Sequence, residues 1–149
     1  MDDMENEISS YMAGFFDGEG CITITKRIRE NWSIEYTLRI SIGQKDGSVL
    51  DWIVDNFGGK IHKVKRDNSF MWYTSNKSAL KVLKMIVHFM KYKRPQAEAA
   101  INFYEGSEKL MRPIPSHELE RREKIYHDLK TLKKQFTDSY YSNVRRFND

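Results

Sequence analysis

Met12-Ala13-Gly14-Phe15-Phe16-Asp17-Gly18-Glu19-Gly20 is the stretch on which the reading of the whole chain turns. With Ile8 and Tyr11 ahead of it, Met12, Phe15 and Phe16 put apolar side chains at helical spacing, and Ser9 or Ser10 can cap the start. Ala13, Gly14 and Gly18 carry almost no side chain, so a second backbone can approach closely along that side. The spacing Gly14-x-x-x-Gly18 suits helix-on-helix contact. Asp17 and Glu19 fall where the helix ends, beside its partially negative carbonyl terminus, which disfavours carboxylates. Something positive should compensate them. Taken alone, the stretch equally fits an ordinary amphipathic helix with a glycine C-cap.

At 149 residues the chain suits a single domain, 1–149, with a real core. Its 25 Lys and Arg against 21 Asp and Glu make it only mildly basic, but the charges are segregated. From Met1 to Gly20 there are acids and no Lys or Arg, whereas from Lys60 to Arg94 Asp67 is the only acid among many basic residues. Such clustering on hairpin and loop fits a polyanionic partner better than a solvated helix face. The single cysteine, Cys21, excludes an internal disulfide framework, and an intracellular setting is the default, with the compartment left open between bacterial or phage cytoplasm and an organelle. No apolar run is long enough to span a membrane, and the acidic start lacks the character of a targeting segment.

Beyond the motif, Cys21 to Ile28 reads as a strand with Ile22 and Ile24 on one face and Thr23, Thr25 and Arg27 on the other. Glu30-Asn31 turns it. Ser33 to Gly43 gives the cleanest alternation: Ile34, Tyr36, Leu38, Ile40 and Ile42 against Glu35, Thr37, Arg39 and Ser41. Asp46 can cap a helix from Gly47 to about Asn56, stopped by Gly58-Gly59. A second hairpin follows, Lys60 to Lys65 and Phe70 to Ser75, with a bulge suggested by the three-residue spacing of Ile61 and Val64. Helices are expected from Ser78 to about Met90, from Pro95 to Glu105, and from Ser116 to about Gln135. The tail from about Thr137 is polar and loose, with Tyr140, Tyr141 and Phe147 able to dock. The fold class is α+β, in the order α-β-β-α-β-β-α with additional C-terminal helices.

The nonapeptide resembles the signature of the LAGLIDADG homing endonucleases, matching at Ala13, Gly14, Asp17 and Gly20, with Met12, Phe15, Phe16, Gly18 and Glu19 as near substitutions. The element order resembles the single-motif members over nearly the whole chain. That resemblance implies an antiparallel, saddle-shaped sheet on double-stranded DNA and a homodimer joined through the motif helix at Met12, Ala13, Gly14, Phe16 and Asp17. It also implies metal-dependent phosphodiester hydrolysis of a long, near-palindromic target, leaving short overhangs. The same fold is known in RNA-binding intron maturases and in non-cleaving DNA regulators, so intron RNA is a second possible partner.

Residue by residue, the resemblance assigns Glu19, with Gly18, to holding Mg²⁺, for which Mn²⁺ can substitute. Glu19 stands where the family commonly has Asp, which keeps hard-oxygen ligation and lengthens the arm by a methylene. Gln44 matches the residue that positions water, and Lys93 matches the active-site lysine. Ser48 stands where some relatives carry an additional Arg, leaving Arg66 and Arg39 as candidates for that basic group. Base and phosphate contacts are expected from Thr23, Thr25, Arg27, Glu35, Thr37, Arg39 and Ser41, and from Lys60, Lys63, Lys65 and Arg66.

Overall fold

A computed structural model describes the backbone of residues 2–30, 33–107 and 114–148, and side chains up to 135 apart from 107. The apolar alternation of the first hairpin becomes β1 (Gly20–Ile28) and β2 (Ile34–Gln44), paired antiparallel from Gly20 opposite Ile42 to Ile28 opposite Ile34. The second hairpin gives β3 (Lys60–Val64) and β4 (Ser69–Ser75), and β4 joins β2 to make one sheet ordered β1-β2-β4-β3. Ile22, Ile24, Leu38, Ile40, Ile42 and Trp72 are buried on one face of this sheet. Each such side chain contributes about 1.5–3 kcal/mol by leaving water.

Helices cover that face. The helix α1 (Asp3–Glu19) supplies Met12, Ala13 and Phe16, α2 (Ser48–Phe57) supplies Leu50 and Ile53, and α3 (Asn76–Ile86) supplies Ala79, Val82, Leu83 and Ile86. After a short 3-10 turn at Val87–Phe89, α4 (Arg94–Ser107) adds Ala97, Ala100 and Phe103, and α5 (Ser116–Asn148) adds Ile125 and Leu129. Trp72 locks the second hairpin to the end of α2: its Nε1–H donates to the Gly58 carbonyl at 2.9 Å. Gly58 and Gly59 have φ of +76° and +90°, and a Cβ on Gly59 would meet Trp72 Nε1 at 2.5 Å, so both conformation and space demand glycine there.

Several boundaries differ from expectation for identifiable reasons. Asp2, not Ser9 or Ser10, caps α1 by accepting the Met4 N–H at 3.3 Å, and Ser9 lies buried in mid-helix. Asp46 acts one residue ahead of the cap position, its carboxylate accepting the Ser48 N–H at 2.9 Å, and this bond lowers its pKa. The β3–β4 register runs unbroken from Lys60 opposite Tyr73 to Val64 opposite Ser69, so there is no bulge; Val64 lies on the polar-face side of β3, at the end next to the turn. The α5 backbone continues to Asn148. Asn31, and the side chains of Tyr140, Tyr141 and Phe147, lie outside the described residues.

The position of α5 is set at two places. Glu118, buried, pairs with Arg121 at 2.8 Å and Arg122 at 3.0 Å, and the hydrogen bond from Arg121 leads the causes that lower its pKa. Arg121 also donates to the Asn102 and Phe103 carbonyls near the end of α4, where a cation is favoured. One turn further on, Glu123 binds Lys26 of β1 at 2.8 Å and accepts a short hydrogen bond from Tyr36 of β2. The helix is thereby held alongside the β1 edge.

Candidate active site and polar sheet face

Three residues singled out from sequence meet where α1 runs into β1. Glu19, exposed at the last position of α1, accepts a hydrogen bond from Gln44 Nε2, at the end of β2, over 3.2 Å. Lys93, just before α4, extends its Nζ to the Gly20 carbonyl at 2.5 Å. Gly20 itself has no room for a side chain, because a Cβ would lie 2.4 Å from the Phe16 ring. The helix-to-strand junction therefore depends on glycine at this position.

Asp17 explains how Lys93 is placed. Its carboxylate accepts the backbone N–H groups of Lys91 at 2.7 Å, Tyr92 at 3.2 Å and Lys93 at 2.9 Å. These amides precede the first turn of α4, where donors lack intrahelical partners and the dipole is positive. The compensation expected for a carboxylate at the end of α1 thus comes from the start of another helix in the same chain. Burial pushes the Lys93 ammonium pKa down, opposed by the neighbouring Cys21, Asp17 and Glu19 and reinforced by the positive charge of Lys133.

The motif-helix expectations divide. Met12, Ala13 and Phe16 are fully buried in the core of their own chain. The Asp17 carboxylate is likewise engaged within the chain. Gly14 is exposed, and nothing lies within 4 Å of the position a Cβ would take there or on Gly18. Tyr11, also exposed, shares that outer arc, since residues 7, 11, 14 and 18 repeat on one side of a helix.

On the sheet face opposite the core, cross-strand partners bring Arg27 beside Glu35, Thr25 beside Thr37, Thr23 beside Arg39 and Cys21 beside Ser41. Ser41 pairs onward with Tyr73, and Tyr73 with Lys60, so this face runs across all four strands. Arg39 lies over the Tyr73 ring, 4.2 Å from its centroid, and Glu35 pairs with Arg29 at 2.7 Å. Lys63 does not join them: it pairs with Phe70, on the side of the sheet that carries Ile61 and Trp72. Lys65 and Arg66 lie in the turn that follows β3. Sequence reasoning missed Met71 and Tyr73 on this face, although the alternation of Phe70, Trp72 and Thr74 with Met71, Tyr73 and Ser75 carried the signal; exposed His62 pairs with Met71 there.

Among the described residues, no group of three or more His, Cys, Asp or Glu is gathered to cage a metal. The donor set available is one exposed carboxylate, Glu19, and the carbonyl of Gly18 in the last helical turn, where carbonyls lack intrahelical partners. Hard oxygens in that number fit Mg²⁺, which is commonly held by one or two carboxylates and completes its shell with water and substrate phosphate.

No curated protein matches this sequence. Solved structures do match the fold. The archaeal intron-encoded homing endonuclease I-Vdi141I, complexed with DNA, is similar at a TM-score of 0.76 and 20% identity over 86% of this chain and 85% of that one. The homing endonuclease I-CvuI, in complex with a DNA target in the presence of Mg, is similar at 0.77 and 18% identity over 88% and 85%. I-SmaMI bound to uncleavable DNA reaches 0.67 and 15% identity over 80% of this chain but only 43% of its own. The family model for LAGLIDADG endonucleases matches residues 12–105, from the motif helix into α4, and the chain belongs to that family.

Proposed function

We propose that this protein is a site-specific, divalent-metal-dependent endonuclease that cuts double-stranded DNA as a homodimer. The observation that carries this reading is the meeting of Glu19, Gln44 and Lys93 at one end of the motif helix. A protein that only binds nucleic acid has no use for that set. In this reading a divalent ion, when bound, stabilises charge on the phosphate and acidifies water. Glu19 and the Gly18 carbonyl hold it, Gln44 orients the attacking water from its hydrogen bond to Glu19, and Lys93 places positive charge beside the reacting phosphate. Burial lowers the Lys93 pKa from its ordinary value, which makes its proton easier to give up than that of a solvated lysine.

DNA as substrate is supported by the polar sheet face, where Arg27, Arg39 and Lys60 sit among Thr23, Thr25, Glu35, Thr37 and Ser41. Arg pairs bidentately with guanine, Glu accepts from cytosine amino groups, and threonine methyls touch thymine. I-Vdi141I and I-CvuI were both crystallised with DNA, and I-CvuI with Mg or Ca.

The homodimer is supported by the outer arc of α1. Glycine in a helix interior costs about 0.8–1 kcal/mol relative to alanine, and nothing within the chain requires it at Gly14 or Gly18. A second α1 crossing there gives both glycines a purpose. It also places a second Glu19 nearby, as cutting both strands of a two-fold symmetric site requires. I-SmaMI, of which this chain matches less than half, is long enough to supply two such units in one polypeptide.

The test is cleavage of a randomised duplex library with and without Mg²⁺, by the wild type and by Glu19→Gln. Metal-dependent cuts centred on a near-palindrome and absent from the variant are expected. Unchanged cutting by Glu19→Gln removes Glu19 from the site, and selective duplex binding without cutting by the wild type replaces the nuclease with a regulator.

A further inference from the structure

We propose that Tyr73, on β4, is a specificity-determining residue of the polar sheet face: it positions the Arg39 guanidinium over its ring and so leaves the N–H rim of that cation to read guanine. That role deepens, and rests on, the DNA reading above. Arg39 stands on β2 directly opposite Thr23 of β1 and Ser75 of β4, both short, so neither walls in a long side chain. Tyr73 is the next residue of β4 on the same face. It lies opposite Ser41 and therefore diagonal to Arg39, a separation that aromatic and long side chains bridge. The guanidinium carbon sits 4.2 Å from the ring centroid, well within the range of a cation–ring attraction.

Tyr73 is braced in turn. On β3 its direct opposite is Lys60, and His62 lies diagonal to it on the side toward Met71, whereas Arg39 lies diagonal on the side toward Ser75. The His62 ring meets the Tyr73 ring at 5.3 Å and 60°, an edge contact. The phenol is thus held from opposite corners by the two neighbouring strands. The shape of the guanidinium decides what this does. The group is planar, with five N–H donors around its rim. An ion pair consumes that rim, as at Arg29, whose Nε and Nη2 both engage Glu35. A ring contact engages the charge without a carboxylate taking the rim. Guanine displays two acceptors, N7 and O6, side by side in the major groove and matches such a fork, whereas adenine has an amino donor in place of O6. The arginine stem is flexible, so a fork already placed by Tyr73 loses less freedom on meeting its base than one ordered only on binding.

The experiment sequences the duplexes retained from the randomised library in EDTA, where binding is read apart from cutting. It compares wild type, Arg39→Ala, Arg39→Lys, Tyr73→Leu, Tyr73→Phe and the double variant Arg39→Ala with Tyr73→Leu. Arg39→Ala is expected to erase a guanine preference at one base pair of the selected site. At that same base pair Tyr73→Leu should lose about three- to fivefold in preference, the worth of an exposed cation–ring contact, while Tyr73→Phe, which keeps the ring face, stays within about twofold of wild type. The double variant should match Arg39→Ala alone, because the ring acts only through the arginine. Arg39→Lys needs no change at Tyr73: it keeps the charge but not the planar fork, and should hold the salt slope while losing most of the preference. A uniform loss on all sequences for Tyr73→Leu makes the tyrosine merely structural. A loss at a different base pair, or a double variant worse than Arg39→Ala at the shared one, makes it a reader in its own right. Each of these overturns the proposal, as do an unchanged preference in Tyr73→Leu or Arg39→Lys and an Arg39→Ala effect at a pair that is not guanine. Wild type that retains duplexes without preference overturns it together with the DNA reading. Wild type that selects duplexes but cuts none with Mg²⁺ removes the nuclease reading alone, and the comparison of variants still decides the role of Tyr73.

Discussion

Asp17→Ala separates the structural carboxylate of the motif from Glu19, the one proposed to hold the metal. The Asp17 side chain receives three backbone N–H groups, from Lys91, Tyr92 and Lys93. The first two are exposed and can turn to water on its removal, so their loss costs what a missing helix cap costs, about 1 kcal/mol. The Lys93 amide is partly buried and is left short of a partner, which adds about 1–2 kcal/mol. A total of about 2–3 kcal/mol lowers the melting temperature of a domain of this size by roughly 4–12 °C. Asp17→Asn retains one acceptor oxygen for three donors and turns its own N–H₂ toward them, so it should lose about half as much. Both variants also free the Lys91 to Lys93 segment and displace Lys93 from Gly20. Thermal and urea unfolding measure the first effect, and single-turnover cleavage at a temperature where both variants remain folded measures the second. An Asp17→Ala protein melting within about 1 °C of wild type refutes the capping role, since even one lost cap exceeds that shift.

Gly14→Leu should break the dimer while leaving the monomer folded, because a Cβ there meets nothing in its own chain; sedimentation at micromolar concentration reads the mass, and an intact dimer removes the motif helix from the interface. Gly14→Ala, by the same geometry, should stabilise the isolated monomer by about 1 kcal/mol through helix propensity, read in urea unfolding. Arg39→Ala should relax preference at particular base pairs, whereas Lys65→Ala, if it sits on a phosphate, should weaken all sequences alike and reduce the salt slope by about one; equal losses on every sequence for Arg39→Ala refute base reading. Hydrogen bonds from Lys26 and Tyr36 hold the Glu123 carboxyl down at about 2, against 4.5 ordinarily. A depressed carboxylate pKa stabilises the fold above 4.5, and the benefit fades as pH falls toward 2. Urea midpoints should therefore show Glu123→Gln weaker than wild type at pH 7, with the gap narrowing below about pH 4; a gap independent of pH refutes the assignment.

The sheet was legible in the sequence because period-two alternation says both that a strand exists and which face each side chain takes. Thr23, Thr25, Arg27, Glu35, Thr37, Arg39 and Ser41 accordingly share one face. That logic needs register only at the ends, and there it slipped. Ile61 and Val64 suggested a bulge, whereas the unbroken ladder lets Val64 fall on the polar-face side of β3 and sends Lys63 to the other. Helical periodicity is weaker evidence when apolar and small residues surround the axis. Met12, Ala13 and Phe16 face the core and Tyr11, Gly14 and Gly18 face out, but the sequence offered one apolar motif and no means of dividing it.

The two carboxylates that made the motif stand out turn out to have opposite fates, and helix geometry requires that they differ. Residues two apart are rotated by roughly 200° about a helix axis, so Asp17 and Glu19 cannot both face the same neighbour. Whichever side of α1 meets the start of α4 absorbs one acid into backbone amides, and the other is left on the side where β2 ends, beside Gln44. The absorbed acid positions Lys93, and Lys93 returns to the Gly20 carbonyl one residue beyond the free acid. Structure and chemistry are thus coupled through a single helical turn. Exchanging the pair, with Asp17→Glu and Glu19→Asp together, keeps the charge but lengthens the arm that must reach three amides and shortens the one proposed to hold a metal. If the division of labour is as the geometry has it, the exchange lowers stability through the first change alone. Glu19→Asp by itself, the residue more usual at that place in the family, leaves stability as it was and cleavage largely intact.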